Sequence, residues 1–220
     1  MCVIKMIIKN INKYFQEAST MFPVTKKQIL YIFTCIALVV ILYKLIQDTI
    51  PLTYSVYEKN IYDPLLFDEI KSMCGKIPRE QLHLDNKAIG RMMYTFPITD
   101  PIYSLIYNPA FIQKVRQLTG NNTLLPCLQV PIEYRKYLIG SYMNWHRDTQ
   151  MLPDQLQYEC IITLTNTSDS LTLMDKILWT QRLSSEPNSL VIVRAKGINH
   201  KVTETTTGER TILKIVFCTK

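Results

Sequence analysis

The chain has 220 residues, of which 47% are hydrophobic and 20% charged, and its 25 Lys and Arg outnumber 18 Asp and Glu for a formal net charge of +7. That balance excludes a disordered chain and supplies enough apolar side chain for one ordinary domain plus an appendage. The basic excess is local: residues 1–27 hold Lys5, Lys9, Lys13, Lys26 and Lys27 against Glu17, a net +4, which leaves +3 for the remainder and no need for a nucleic-acid partner.

In the first segment Ile4, Ile7, Ile8, Ile11 and Phe15 fall at helical spacing with lysines between them. This fits an amphipathic helix on an anionic leaflet, or equally a tail without fixed structure. Residues 29–46 then read ILYIFTCIALVVILYKLI, with a single charge at Lys44 near the far end. At about 1.5 Å rise per residue such a run spans roughly 27 Å, close to the thinner membranes of the secretory pathway. A single transmembrane helix is expected there, the alternative being a buried core helix. The charge asymmetry across it leaves residues 1–28 as a basic cytosolic tail and puts the bulk of the chain on the other side, in the endoplasmic reticulum lumen or an equivalent compartment. A cleaved signal peptide fits poorly, because the apolar run starts late and no small-residue cleavage site follows it.

Residues 47–60 read as a stalk and 61–220 as the domain. Asp63-Pro64, Asp100-Pro101 and Asn108-Pro109 each set a capping side chain before a proline, predicting three helix starts, and Gly75 and Gly120 are placed to stop the first and third. A strand is expected near 91–96. From Leu128 onward β-rich runs take over, at 128–139, 158–165, 189–194 and 210–219, separated by turn residues. Helices first and strands later predict an α+β, mainly β fold, a β-sandwich or jelly roll buttressed by N-terminal helices.

Four cysteines fall in the domain, Cys74, Cys127, Cys160 and Cys218, without the close spacing of a zinc site or redox motif. In a lumenal domain they could form disulfides; in the reverse orientation they are buried thiols. Asn121 and Asn166 open glycosylation sequons that matter only on the lumenal side.

The chemistry-bearing pattern is His146-Arg147-Asp148, then His200, then Arg210 ten residues later. Residues at i and i+2 on a strand point to one face, so His146 and Asp148 can share a metal with a second imidazole from a later strand, the two-histidine, one-carboxylate set of non-haem iron sites. Arginine suits the bidentate grip on a distant carboxylate. The bland alternatives are a hydrogen-bonded His–Asp pair and a solvated Arg210 beside Glu209, with Lys214 as a fallback cation on Arg210's face. Trp145 reads as packing or a water shield, and His83 as surface. A kinase catalytic loop is excluded, since Pro153 stands where its Asn belongs and there is no glycine-rich loop.

Residues 134–148 (YRKYLIGSYMNWHRD), 160–166 (CIITLTN) and 189–217 (SLVIVRAKGINHKVTETTTGERTILKIVF) resemble the iron(II) and 2-oxoglutarate-dependent dioxygenase superfamily, nearest to its prolyl 4-hydroxylase-like branch, over somewhat under half of the chain. The resemblance implies a double-stranded β-helix, with His146, Asp148 and His200 as ligands of Fe(II). It implies that Arg210 grips 2-oxoglutarate with help from a tyrosine: Tyr142 if the strand runs straight, Tyr137 or Tyr134 otherwise. It further implies decarboxylation of 2-oxoglutarate to succinate, ascorbate as an accessory, and a protein or peptide substrate hydroxylated at proline. The family's Gly-Gly-x-Thr segment is replaced here by Asp169-Ser170-Leu171-Thr172, which touches substrate assignment more than iron. Rival expectations are the same fold acting on a nucleic-acid base or small molecule, and an inactive membrane-tethered interaction module. Oligomeric state is not legible.

Overall fold

The computed structural model describes residues 25–49, 54–176 and 179–220, so the expected basic tail lies almost wholly outside the described residues. The chain divides into two units between Ile46 and Gln47. In the first, helix α1 (Lys26–Thr49, 24 residues) covers the run expected to be the anchor. Its described side chains are Lys27, Gln28 and those of 31–43, and the apolar ones among them, including Tyr31, Ile36, Leu38, Val39 and Leu42, are exposed apart from the half-buried Cys35. Among the described residues no helix is long and apolar enough to cross a membrane.

The second unit begins with strand β1 (Ser55–Lys59), inside the expected stalk, which pairs with β9 (Ser189–Arg194) as an antiparallel edge strand. Three helices follow, α2 (Pro64–Gly75), α3 (Ile102–Ile106) and α4 (Pro109–Thr119), at the three Asx-Pro starts. The Asp63 carboxylate accepts from Leu65 N at 3.0 Å, Asp100 from Ile102 N at 2.9 Å and Asn108 from Phe111 N at 3.0 Å. Each cap satisfies an amide that has no partner within the helix. Gly120 ends α4 in the left-handed conformation, φ 65°.

The remaining strands are β2 (His83–Leu84), β3 (Ile89–Thr95), β4 (Leu125–Pro126), β5 (Glu133–His146), β6 (Gln157–Asn166), β7 (Thr172–Asp175), β8 (Thr180–Leu183), β10 (His200–Val202) and β11 (Arg210–Cys218). They form one curled antiparallel sheet in the order β1-β9-β6-β11-β5-β10-β7-β8, with β3 and β2 beside β5 and β4 beside β11. The curl comes from β5, which runs 14 residues and belongs to both halves: 133–137 pair with β11, while Met143 and His146 pair with β10. Gly140, at φ 82°, makes the corner. The corner is pinned by Gly140 N to Thr205 O at 2.8 Å and by the Ser141 hydroxyl, which donates to Gly90 O at 2.7 Å and accepts from Leu138 N at 2.9 Å. The result is a jelly-roll-like half-barrel, mainly β with few helices.

Alternation along the central strands assigns two faces. On β11, Leu213, Ile215 and Phe217 face the helices and pack with Ile70, Ile106, Phe111 and Val115, each worth about 1.5–3 kcal/mol of buried apolar surface. The other phase of the same strand carries Arg210, Ile212 and Lys214 into the interior of the half-barrel. All nine residues of β11 are buried, two of them cations. Buried cations require partners or a ligand, so the inward face is where function is to be sought.

Candidate functional site

The site is assembled by the second half of β5, the loop after it, and β10. His146 is the last residue of β5 and lies directly across from His200, the first residue of β10. Their ring centroids are 4.2 Å apart. Asp148 follows in the loop, its carbonyl tied to Lys196 N at 2.8 Å. His146 Nε2 lies 3.6 Å from one Asp148 carboxylate oxygen and His200 Nε2 3.6 Å from the other. One ligand atom from each of the three residues falls within 4.8 Å of the others, and this is the only such His/Cys/Asp/Glu group found among the described residues.

Both imidazoles are oriented from behind. His146 Nδ1 lies 2.8 Å from Asn144 O and His200 Nδ1 lies 3.1 Å from Ile198 O. A carbonyl can only accept, so each Nδ1 carries the proton and each Nε2 turns a lone pair toward the common point, as metal-binding histidines require. Burial, with the neighbouring His146, lowers the pKa of His200 despite the opposing pull of Asp148, which favours the neutral ligating form. Burial alone would raise the Asp148 carboxyl. The two imidazoles in their protonated form and the Lys214 ammonium outweigh it and lower the group to about 2. Two neutral imidazoles and an ionised carboxylate suit a divalent ion such as Fe(II).

The ligands open into a cavity that also takes in Tyr137, Met143, Ile161, Thr172, Val193, Ile212, Arg91 and Arg210. Arg210 is buried there. One Nη donates to the Thr172 hydroxyl at 3.1 Å, its guanidinium lies 5.6 Å from the centroid of the Tyr137 ring, and its Nε has no hydrogen-bond partner. Burial and the charge of Arg91 lower its pKa against the pull of Tyr137. A buried guanidinium with an orphaned donor and, among the described residues, no carboxylate to pair with is a site built for an anion that arrives from outside.

Tyr142 lies elsewhere, lining a surface groove with Asn86, Ile89 and Trp145, and Tyr137 is the tyrosine in the cavity. The reason is a bulge. Four residues of β5, Met143 to His146, match three of β10, Val202 to His200, so Met143 and His146 both face inward and the simple alternation that put Tyr142 in phase with His146 is broken. Tyr134 faces the helices instead. Lys214 is engaged by Glu159 at 3.0 Å and borders a recess shared with Asp148 and Arg135 rather than the chamber of Arg210. Burial and the charge of Asp148 push the Glu159 carboxyl up to about 7 against the pull of Lys214. Trp145 is exposed, with the Lys201 ammonium 5.3 Å from its ring centroid, and His83 is exposed on β2.

Two buried charged residues beside the cavity were not anticipated, Asp85 and Arg91. Arg91 is completely buried, pairs with Asp85 and donates to the Tyr137 hydroxyl. Only the isolated Arg in the apolar run Arg91-Met92-Met93-Tyr94 could have hinted at it. Cys74, Cys127, Cys160 and Cys218 are buried free thiols. A second, larger groove lies on the outer face, lined by Lys71, Cys74, Tyr134 and Lys136, away from the ligands.

No family model and no curated relative matches the sequence. Solved structures do match the fold. A 2OG-Fe(II) oxygenase family oxidoreductase from Burkholderia pseudomallei matches with a TM-score of 0.61 at 13% identity, over 74% of this chain and 83% of that one. A prolyl-4-hydroxylase from Pseudomonas putida matches with 0.61 at 12% identity, over 80% and 98%. A prolyl hydroxylase from Trichoplax adhaerens, solved with a hypoxia inducible factor oxygen degradation domain peptide fragment, matches with 0.59 at 9% identity, over 81% and 91%. The chain therefore has the fold of the 2-oxoglutarate and Fe(II)-dependent oxygenases, the prolyl hydroxylases among them.

Proposed function

We propose that the chain is a double-stranded β-helix dioxygenase that uses Fe(II) and 2-oxoglutarate to hydroxylate a protein or peptide side chain, proline first. One observation carries this: His146, Asp148 and His200 converge in the same cavity that holds the orphaned guanidinium of Arg210. Fe(II) held by those three residues supplies the coupling of dioxygen reduction to oxidative decarboxylation of 2-oxoglutarate, giving succinate, carbon dioxide and the hydroxylated product, with ascorbate as an accessory. Arg210 and the Tyr137 hydroxyl bind the distal carboxylate of the cosubstrate and so fix its keto acid end toward the ligands. Asp148 stays ionised, both Nε2 atoms stay unprotonated, and Ile161, Val193, Val202 and Ile212 keep bulk water off the chamber walls.

The peptide substrate rests on the peptide complex of the Trichoplax enzyme and on the groove of Ile89, Tyr142 and Trp145, which reaches His146. Residues 29–46 anchor the protein as a single-pass signal-anchor, with a cytosolic N-terminus and a lumenal domain. Support for this is the apolar run itself, its place within a 24-residue helix and the exposure of its described apolar side chains. A second reading, the same chemistry on a small polar molecule, is favoured by the ion pairs Glu159–Lys214 and Arg135–Glu133 beside the recess at the ligands.

Purified full-length protein with Fe(II) is expected to convert 2-oxoglutarate to succinate, faster with proline-containing peptides, and His146→Ala or His200→Ala is expected to abolish this. Unchanged turnover in both variants would overturn the assignment, whereas turnover that peptides never stimulate but small polar acceptors do would select the second reading.

A further inference from the structure

Resting on the reading above, we propose that Arg91 is a positioning residue for the cosubstrate: through a buried Asp85–Arg91–Tyr137 chain it aims the Tyr137 hydroxyl proton at the carboxylate site of Arg210. Arg91 donates Nε to an Asp85 carboxylate oxygen at 2.9 Å, and its Nη2 donates to the same oxygen. The other Asp85 oxygen accepts from Lys87 N at 2.8 Å, and Asp85 N donates to Arg91 O at 2.9 Å, so the pair is locked within the β2–β3 hairpin. The remaining Nη1 meets the Tyr137 hydroxyl oxygen and the Met143 sulfur.

A guanidinium has only donors. The Tyr137 oxygen must therefore be the acceptor in this contact, and its own hydrogen is left to give. Among the described residues no acceptor takes that hydrogen. Tyr137 lines the cavity, and Arg91 and Arg210 flank its ring at 5.2 and 5.6 Å from the centroid. Asp85 is taken up by Arg91, with Arg135 4.0 Å away, and among the described residues Arg210 forms no ion pair of its own. A carboxylate arriving beside Arg210 supplies the missing negative charge and accepts the Tyr137 proton at once. Arg91 touches no part of this ligand; it fixes the direction of the hydroxyl that does.

The test is calorimetric titration of 2-oxoglutarate, and of 2-oxopentanoate, which lacks the distal carboxylate, into full-length protein loaded with Mn(II). The proteins are wild type, Tyr137→Phe, the double variant Arg91→Met with Asp85→Asn, and the triple combination. Removing Arg91 together with the Asp85 charge leaves the net charge unchanged and strands no carboxylate. Tyr137→Phe and the double variant are each expected to weaken 2-oxoglutarate about 10- to 100-fold, the worth of a hydrogen bond to a charged group. The triple variant is expected to bind no worse than Tyr137→Phe, with Mn(II) affinity and 2-oxopentanoate binding unchanged throughout. Should the double variant not fold, Arg91→Lys keeps the charge but cannot serve Asp85 and Tyr137 together, and is expected to match Tyr137→Phe. The proposal fails if the double variant or Arg91→Lys binds 2-oxoglutarate as wild type does, if the losses multiply in the triple variant, or if 2-oxopentanoate weakens in parallel. Wild type that takes up Mn(II) but not 2-oxoglutarate overturns the functional reading itself, and this inference with it.

Discussion

Replacing Arg210 with Met is expected to stabilise the ligand-free protein while disabling it. In the fold this guanidinium is buried, holds one hydrogen bond, to Thr172, leaves Nε unpartnered and feels the charge of Arg91. An unsatisfied buried donor alone costs about 1–3 kcal/mol, and Met fills much of the same volume without the charge. A gain of about 1–3 kcal/mol corresponds to a rise of roughly 2–12 °C in Tm for a domain of this size. Losing the cation that faces a buried carboxylate should cost about 2–5 kcal/mol of 2-oxoglutarate affinity. Thermal unfolding with Mn(II) present, without and with 2-oxoglutarate, reads both effects. At about 100 times its Kd the ligand adds about 2.7 kcal/mol to wild type and almost nothing to the variant, so the order of stabilities converges or reverses. A variant that is several degrees less stable without ligand, and that gains as much from 2-oxoglutarate as wild type does, refutes the reasoning.

Further outcomes follow from single residues. Glu159 titrates near 7 in the fold and near 4.5 unfolded, so the folded state holds its proton more tightly and stability should fall as pH rises from about 4.5 through 7. His200, lowered in the fold, acts oppositely below its ordinary 6.5. The informative measurement is therefore the difference between wild type and Glu159→Gln in denaturant titrations of metal-free protein. The variant should lose the decline between pH 5 and 8, and an identical slope contradicts the assignment. Gly208 lies at φ 63° with a Cβ position only 2.3 Å from Thr167 O, whereas Gly140 has φ 82° and open space around it. Gly140→Ala should cost about 1–2 kcal/mol for the left-handed backbone alone, and Gly208→Ala clearly more; equal losses in urea unfolding contradict this. If the domain is lumenal, Asn121 should carry glycan. Asn166 should carry little, because its side-chain nitrogen is bound to Ser185 O at 2.8 Å. A glycosidase shift that survives Asn121→Gln contradicts this, and no shift in microsomes contradicts the topology.

Several parts of this were legible in the sequence because the physics is local. Asp63, Asp100 and Asn108 each precede a proline, and capping chemistry acts within three residues, so all three helix starts appear where expected. The expected strands at 158–165, 189–194 and 210–219 lie within a residue or so of β6, β9 and β11, because fully buried strands read as continuous β-branched and apolar runs. The first run did worse. Read from Leu128, it starts at Glu133 and continues to His146, since the corner at Gly140 and the bulge before His146 are properties of pairing with β10 and leave no mark in composition. That bulge is also why Tyr137 rather than Tyr142 enters the cavity. β1 was hidden in what reads as a stalk because it is a short edge strand, three of whose five residues are polar, and its strand partner β9 lies some 130 residues away. Asp85 and Arg91 escaped because the group they serve lies some 50 residues away, and burial of a charge cannot be read from a charge.

The most direct test is anaerobic titration of full-length protein with Fe(II), followed by 2-oxoglutarate. One ion per chain is expected, lost in His146→Ala and in His200→Ala, and 2-oxoglutarate should bind only to the iron-loaded wild type. Iron uptake that is indifferent to both histidines, or 2-oxoglutarate binding that is indifferent to iron, would contradict the claim that these three side chains and Arg210 form one site.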